Sequence, residues 1–395
     1  MEAAGSAKGG TWGFRGQRPW NCRSFGKRFF PNQGRQLNLT PNPEFEYLRK
    51  GVSPHPRAPF ASDQISWPKL YHLALEHGVS VPLETNRGKL LPDPIRERLK
   101  AFNRTLSAHN LRLTAELLRI LRAAQERDLT LIPYKGPVLS QMLHGAPTYR
   151  YSVDLDLVVR PDEASNAVAL LLTLGYRPKW PKASLASFLR FHYEYQLFHP
   201  DRAVAVELKW DFAPRRWFTL PPESGWWDRL ERVHFGGLEV PRFSSEDYLH
   251  ILSLHGCKHR WSKLKWICDV AYLLENCAVD LVAARALASR QGHEFALDLA
   301  LALATQIDTT QKYGATDLAD QVLAALANST PLGRRFDLEL RPSLSSKLEF
   351  LARTCLDPTV DDLVFVQLPT RFHALYYLVR PFLFIRKLFS TSLSA

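Results

Sequence analysis

Between Ile132 and Val159 the chain reads IPYKGPVLSQMLHGAPTYRYSVDLDLVV, and this stretch limits the possible fold more than any other. Its pattern predicts a strand, a glycine turn, a short helix, a loop and a second strand. On the second strand Asp154 and Asp156 stand one residue apart. Side chains alternate across a strand, so positions i and i+2 share a face. Val153, Leu155, Leu157 and Val159 then form an apolar face, and the two aspartates point together to the other. Two like charges that close repel unless a cation lies between them. Mg²⁺ is the natural cation for such a pair, and a phosphate is the natural reason to hold it.

The rest of the chain frames this stretch. Residues 1–60 contain eight Gly and seven Pro with no sustained periodicity, and they are expected to be disordered. The segment SWPKLYHLALEHGV has apolar residues at helical spacing and Gly78 as its stop. A longer helix is expected from about Pro94 to Arg127, with Leu106, Leu113, Leu117, Ile120, Leu121 and Ala124 as its buried stripe. After the acidic strand, a helix opens at Pro161-Asp162-Glu163 and ends at Gly175. Phe191–His199 and Ala203–Trp210 alternate and are joined by Pro200-Asp201-Arg202, which predicts a hairpin. Pro214–Gly237, rich in Trp, Pro and Arg, reads as an irregular connector. Ser244-Ser245-Glu246-Asp247 resembles a capping box, and the pattern from there to about Asn328 is helical. A last apolar region, Asp361–Leu388, suits packing against those helices or lying on a membrane surface.

The domain organisation that follows is a disordered basic leader over 1–60, a helical region over 61–128, a core over 129–240 and a helical domain over 241–395. The fold class expected is α/β (α+β): a small β-sheet flanked by N-terminal helices and a C-terminal helical bundle. The formal charge of +12 is unevenly spread, because residues 1–60 carry ten Lys/Arg against three Asp/Glu. The basic bias is therefore mainly a property of the leader, and it gives no firm indication of DNA binding. Five cysteines, an odd number with no CxxC pair, argue against a disulfide framework or a zinc ribbon and for a reducing, cytoplasmic setting. The start has no apolar signal-peptide core. No run of about 18 uncharged apolar residues is present, so no transmembrane segment is expected.

Phosphoryl chemistry with two metals needs carboxylates that bridge the ions and a third acid near the attacking group. In AVAVELKW, Val204, Val206, Leu208 and Trp210 share one strand face, and Glu207 lies on the other with Lys209. If the hairpin joins the sheet of the acidic strand, Glu207 becomes that third acid. It would ligate metal and help deprotonate an acceptor hydroxyl. Lys135-Gly136, at the start of the short helix, offers free backbone N–H groups, the positive end of a helix dipole and an ammonium for phosphate. Arg150 and Ser152 are also within reach of phosphate oxygens. His255 and His259 share a helix face, but HGCKH lacks the glutamate of HExxH and has no evident third zinc ligand. Contact with a nucleotide or acceptor, or ordinary packing, are the remaining readings. Asp269 is expected to orient a neighbour, and Trp261, Trp266 and Tyr272 to belong to the core.

Together, K135-G136, the run RYSVDLDLVV from Arg150 and the later V-E207-L-K-W210 resemble the polymerase-β-type nucleotidyltransferase superfamily. They are most similar to its little-characterised bacterial nucleotidyltransferase branch, as is SLHGCKHRWSKLKWICDVAYLL over 253–274. The resemblance spans roughly residues 62–380. It implies a mixed sheet flanked by helices, two Mg²⁺ ions and an NTP, such as ATP, as donor. Carried over by position, Asp154, Asp156 and Glu207 are the metal ligands, and Lys135 and Gly136 occupy the phosphate loop. Two positions depart from the family pattern. Pro137 stands where Gly or Ser is common, which removes one N–H donor, and Lys209 stands where a His is expected.

The function expected is transfer of a nucleoside monophosphate from an NTP to an unidentified acceptor hydroxyl of a protein, an RNA or a small molecule. The alternative is a catalytically inactive nucleotide-binding or scaffold protein of the same fold.

Overall fold

The computed structural model describes residues 42–56, 65–181, 183–218, 225–307, 309–314 and 316–392, with side chains through 386. Four helices come first: α1 (Pro43–Gly51), α2 (Trp67–Glu76), α3 (Ser80–Arg87) and α4 (Asp93–Gln125). Helix α1 corrects the expectation that all of residues 1–60 lack structure; residues 1–41 lie outside the described residues. The segment helps itself locally. Asn42 accepts from the Phe45 N–H, Pro43 starts the helix, and Glu44 and Glu46 precede Arg49 and Lys50, as the helix dipole favours. Phe45, Leu48 and Val52 recur at helical spacing and are buried. That short stripe is easily lost in a leader dominated by glycine, proline and positive charge. Helix α4 buries the stripe expected of it, whereas α3 is not legible in the sequence as a separate helix.

The sheet is built from β1 (Ile132–Pro133), β2 (Leu155–Val158), β3 (Arg177–Pro178), β4 (Glu194–His199) and β5 (Val204–Lys209), in spatial order β1-β2-β5-β4-β3. Helix α5 (Gly136–His144) connects β1 to β2, α6 (Ala164–Thr173) connects β2 to β3, and α7 (Leu185–Phe191) precedes β4. Strands β2 and β5 run parallel, while β1–β2, β4–β5 and β3–β4 are antiparallel. A mixed sheet with flanking helices is therefore observed, as expected.

Period-two alternation splits the sheet into two faces. Leu155, Leu157, Tyr195, Leu197, Val204, Val206 and Leu208 pack with α6, α7 and the C-terminal half of α4 in one core. The opposite face carries Asp156, Glu194, Gln196, Glu207 and Lys209. The expected apolar face of β2 is corrected at Val153, which is 49% exposed because the strand starts only at Leu155.

The stretch Pro214–Gly237 is not wholly irregular. It contains β6 (Glu231–Phe235), which pairs with β7 (Leu238–Arg242) across a Gly236-Gly237 turn. Both glycines have positive φ, +57° and +80°, the conformation a two-residue hairpin turn needs. The sequence carries this Gly-Gly signal, but the Trp- and Pro-rich residues before it overshadow it.

Helices α8 (Ser245–Lys258), α9 (Leu264–Asn276), α10 (Leu281–Arg290), α11 (Glu294–Thr305) and α12 (Asp317–Ala327) follow. Ser244 caps α8 by accepting from the Asp247 N–H. Their Ala- and Leu-rich faces form a second core that also takes in α1–α3, α5 and the edge residues Ile132, Tyr134 and Val158. The polar face of the sheet thus looks toward α8 and α9. The remaining helices are α13 (Arg334–Glu339), α14 (Leu344–Leu356), α15 (Val360–Phe365) and α16 (Tyr376–Ser392). Leu363 and Tyr376 pack into the sheet-side core. Among the described residues, no helix is long and apolar enough to cross a membrane.

Candidate active site

The turn before α5 is set by Gly136, whose φ of +66° lies in the left-handed region that glycine tolerates best. No side chain caps α5, so its first N–H groups remain available to an anion, less the one that Pro137 lacks. The Lys135 ammonium lies 3.3 Å from Asp156 Oδ2 and 3.5 Å from His255 Nδ1. Burial opposes its charge, but Asp156 and Tyr134 together raise the Lys135 pKa.

Asp156 sits inside β2, where parallel pairing places it directly against Glu207 of β5. This brings Glu207 beside Asp156 on one face of the sheet. Asp154 lies half-buried, just ahead of the strand. Burial, then the Asp156 charge, pushes the Asp154 carboxyl up to about 6. Asp156 is held below the usual carboxylate range despite burial, because Lys135 and Lys209 stand beside it. Its Oδ1 is buried and accepts no hydrogen bond.

Two further residues complete the face. Glu194 is opposite Lys209, and Gln196 opposite Glu207, across the β4–β5 pair. The Lys209 ammonium lies 2.5 Å from Glu194 Oε2, 2.5 Å from Glu207 Oε2 and 3.3 Å from Asp156 Oδ1. The Gln196 amide donates to Glu194 Oε1 at 2.9 Å and Glu207 Oε1 at 3.0 Å. Burial, followed by the Glu194 charge, pushes the Glu207 carboxyl up to about 8. Glu194 moves the other way against the cost of burial, since Lys209, His192 and Lys258 together lower it. Glu194 is not among the residues expected at the site, although the sequence holds a signal for it: counting back from the Pro200–Arg202 turn pairs it with Lys209 on the polar face.

Arg150 and Ser152 differ from the expectation that they reach phosphate oxygens. The Arg150 guanidinium makes a buried two-point pair with Asp269 of α9, Nε to Oδ1 at 2.7 Å and one terminal nitrogen to Oδ2 at 2.8 Å. Ser152 is buried and donates to the Arg150 carbonyl at 3.5 Å. Both are tied into the loop that leads to the aspartates. Asp269 orients a neighbour, as expected.

The α8–α9 side supplies His255, His259, Lys258, Trp266 and Lys265. The imidazoles of His255 and His259 are 4.5 Å apart and lie against Trp266. Burial and then Lys135 hold His255 well below the ordinary histidine range, so its ring is neutral. The Lys258 ammonium donates to the Phe212 carbonyl at 3.1 Å. Burial, then Lys209, lowers it to about 8, and burial, then Arg150, lowers Lys265 to about 7. Trp261 and Tyr272 are buried in the core. Among the described residues, no three His, Cys, Asp or Glu side chains are gathered closely enough to hold a metal ion between them. A zinc site at His255 and His259 therefore gains no third ligand, and Asp154, Asp156 and Glu207 are not gathered as the expected three-acid metal set either, because the Lys209 ammonium contacts both Asp156 and Glu207.

The donor chemistry suits Mg²⁺. Asp154 and Asp156 offer hard carboxylate oxygens, and the charge of Asp156 raises the carboxyl of Asp154, as a pair wanting a shared cation would show.

Residues 63–307, more than half of the chain, match the family described as uncharacterised nucleotidyltransferase, and the protein belongs to that family. No curated protein matches. Among solved structures, the chain is similar to ANT(2")-Ia, crystallised with adenylyl-2"-tobramycin, at 15% identity over 46% of this chain and 98% of that one. The TM-score is 0.33, too low to carry residues from one structure to the other.

Proposed function

We propose that the protein is a Mg²⁺-dependent nucleotidyltransferase that moves a nucleoside monophosphate from an NTP to an acceptor hydroxyl, releasing pyrophosphate. The observation that carries this reading is the parallel pairing of Asp156 with Glu207, beside the uncapped start of α5. Asp154 and Asp156 would hold Mg²⁺, which when bound neutralises triphosphate charge and steadies the leaving pyrophosphate. Lys135 and the N–H groups of the Gly136 turn cradle the phosphates. The acceptor oxygen attacks the α-phosphorus, the bond to pyrophosphate breaks, and the acceptor proton passes to Glu207. Glu207 stands beside Asp156 on the neighbouring strand, where its ionised carboxylate could take that proton. Arg150 acts at one remove, by holding the loop that aims the aspartates. The family assignment supports the class of reaction. The odd number of cysteines in the sequence supports a cytoplasmic location.

The test is pyrophosphate release from each of the four NTPs with Mg²⁺, with and without cell lysate as the acceptor source. Labelled NTP then identifies the modified species as protein, RNA or small molecule. Asp154→Asn and Asp156→Asn are each expected to lower release by about 10²-fold or more, the scale of lost transition-state charge stabilisation. Undiminished release in both variants refutes the site. NTP binding without turnover across all acceptors favours the scaffold alternative.

A further inference from the structure

Lys209 lies at the centre of the site, and nucleotidyl transfer as derived above gives it no role. Its side chain is 3% exposed. Its ammonium touches carboxylates from three adjacent strands: Asp156 of β2, Glu207 of β5 and Glu194 of β4. The Gln196 amide binds the far oxygen of each glutamate, so both are clamped between an amide and an ammonium. A lysine ammonium is a compact point charge. Placed between Asp156 and Glu207, it occupies the position a cation bridging those two acids would need.

We infer that Lys209 is a built-in cation in that bridging position, so that the site takes one divalent ion, on Asp154 and Asp156, rather than two. The inference rests on the Mg²⁺ and NTP reading above and refines it. Asp154 supports it, because among the described residues it makes no hydrogen bond or ion pair. Asp156, Glu194 and Glu207 each have an ammonium in contact, and Asp154 does not. Glu207 is freed from metal ligation, with its two oxygens held by the Lys209 ammonium and the Gln196 amide. Glu194 becomes a positioning residue that holds the ammonium in place from the third strand.

The experiment counts Mn²⁺ bound to the full-length chain by electron paramagnetic resonance of the free ion, with the α,β-methylene analogue of each NTP present. The wild-type protein is expected to bind one Mn²⁺ per chain. Lys209→Met, which removes the charge at similar length, is expected to bind two. Lys209→Arg, which keeps the charge and guards against loss of folding, is expected to stay at one. Two ions on the wild-type chain, two on Lys209→Arg, or still one on a folded Lys209→Met each overturn the inference. Two wild-type ions with Mg²⁺-dependent pyrophosphate release intact sink only this refinement. No analogue-dependent Mn²⁺ binding at all sinks both it and the nucleotidyl-transfer reading.

Discussion

The Arg150–Asp269 pair makes a sharp claim about how the site is held. Its side chains are only 7% and 3% exposed. The Arg150 main chain is fixed as well: its N–H donates to Ser140 Oγ at 3.0 Å, and its carbonyl accepts from Asn110 Nδ2 at 2.8 Å. The guanidinium therefore cannot swing into water when its partner is removed. Asp269→Ala strands a buried charge, for which about 3–5 kcal/mol of lost stability is expected. Coulomb's law gives a similar figure, about 4 kcal/mol for unit charges 4 Å apart at an effective dielectric near 20. Urea unfolding followed by tryptophan fluorescence reads the loss as a shift in midpoint at unchanged slope. The double variant Arg150→Met/Asp269→Leu removes both charges and should be the milder lesion. The coupling energy should be about 2 kcal/mol or more, within the range found for contacting residues. A cost below about 1 kcal/mol for Asp269→Ala, or additive single variants, would refute the claim that this pair is buried and mutually dependent.

Two further tests concern stability. Gly256 of α8 packs directly under the buried Trp261 ring, so a Cβ at 256 would collide with it. Gly256→Ala should cost about 1–3 kcal/mol by overpacking, read from the same unfolding curves; a neutral or stabilising effect would show that the ring moves freely. His77 is buried, and burial lowers it to about 4. Its contribution is complete above the unfolded histidine pKa of about 6.5 and fades as pH falls toward 4, because only the unfolded chain binds the proton in that window. The size is roughly 3 kcal/mol from the 2.5-unit shift, and His77→Leu should flatten the pH–stability curve by that amount. An unchanged curve would mean that His77 is not held neutral.

Much of the site is legible in the order of residues alone. The i, i+2 spacing of Asp154 and Asp156, the Lys135-Gly136 turn and the alternation around Glu207 are local patterns, and local patterns survive folding. They suffice to place two aspartates near a glycine turn and a third acid on the polar face of a later strand; the mixed sheet between helices is what the family resemblance implies. Helix α1 escapes such a reading because its stripe is three residues long and its stability comes mostly from the α2, α3 and α12 surfaces it covers. The β6–β7 hairpin escapes it because the composition around the Gly-Gly turn points to an irregular connector.

Other features belong to the tertiary structure alone. Arg150 reads as a phosphate ligand because an exposed guanidinium favours phosphate; only the packing of α9 on that loop, more than a hundred residues later, gives it to Asp269. Lys209 is visible in the sequence as a departure from a family pattern, but its partners come from three strands, and strand order is not written in any one of them. The sequence by itself determined which residue types stand on the polar face, because alternation is fixed by the geometry of a single strand. Which charge meets which was decided by register and sheet order, since Coulomb energies in a buried site depend on ångström separations between residues far apart in the chain.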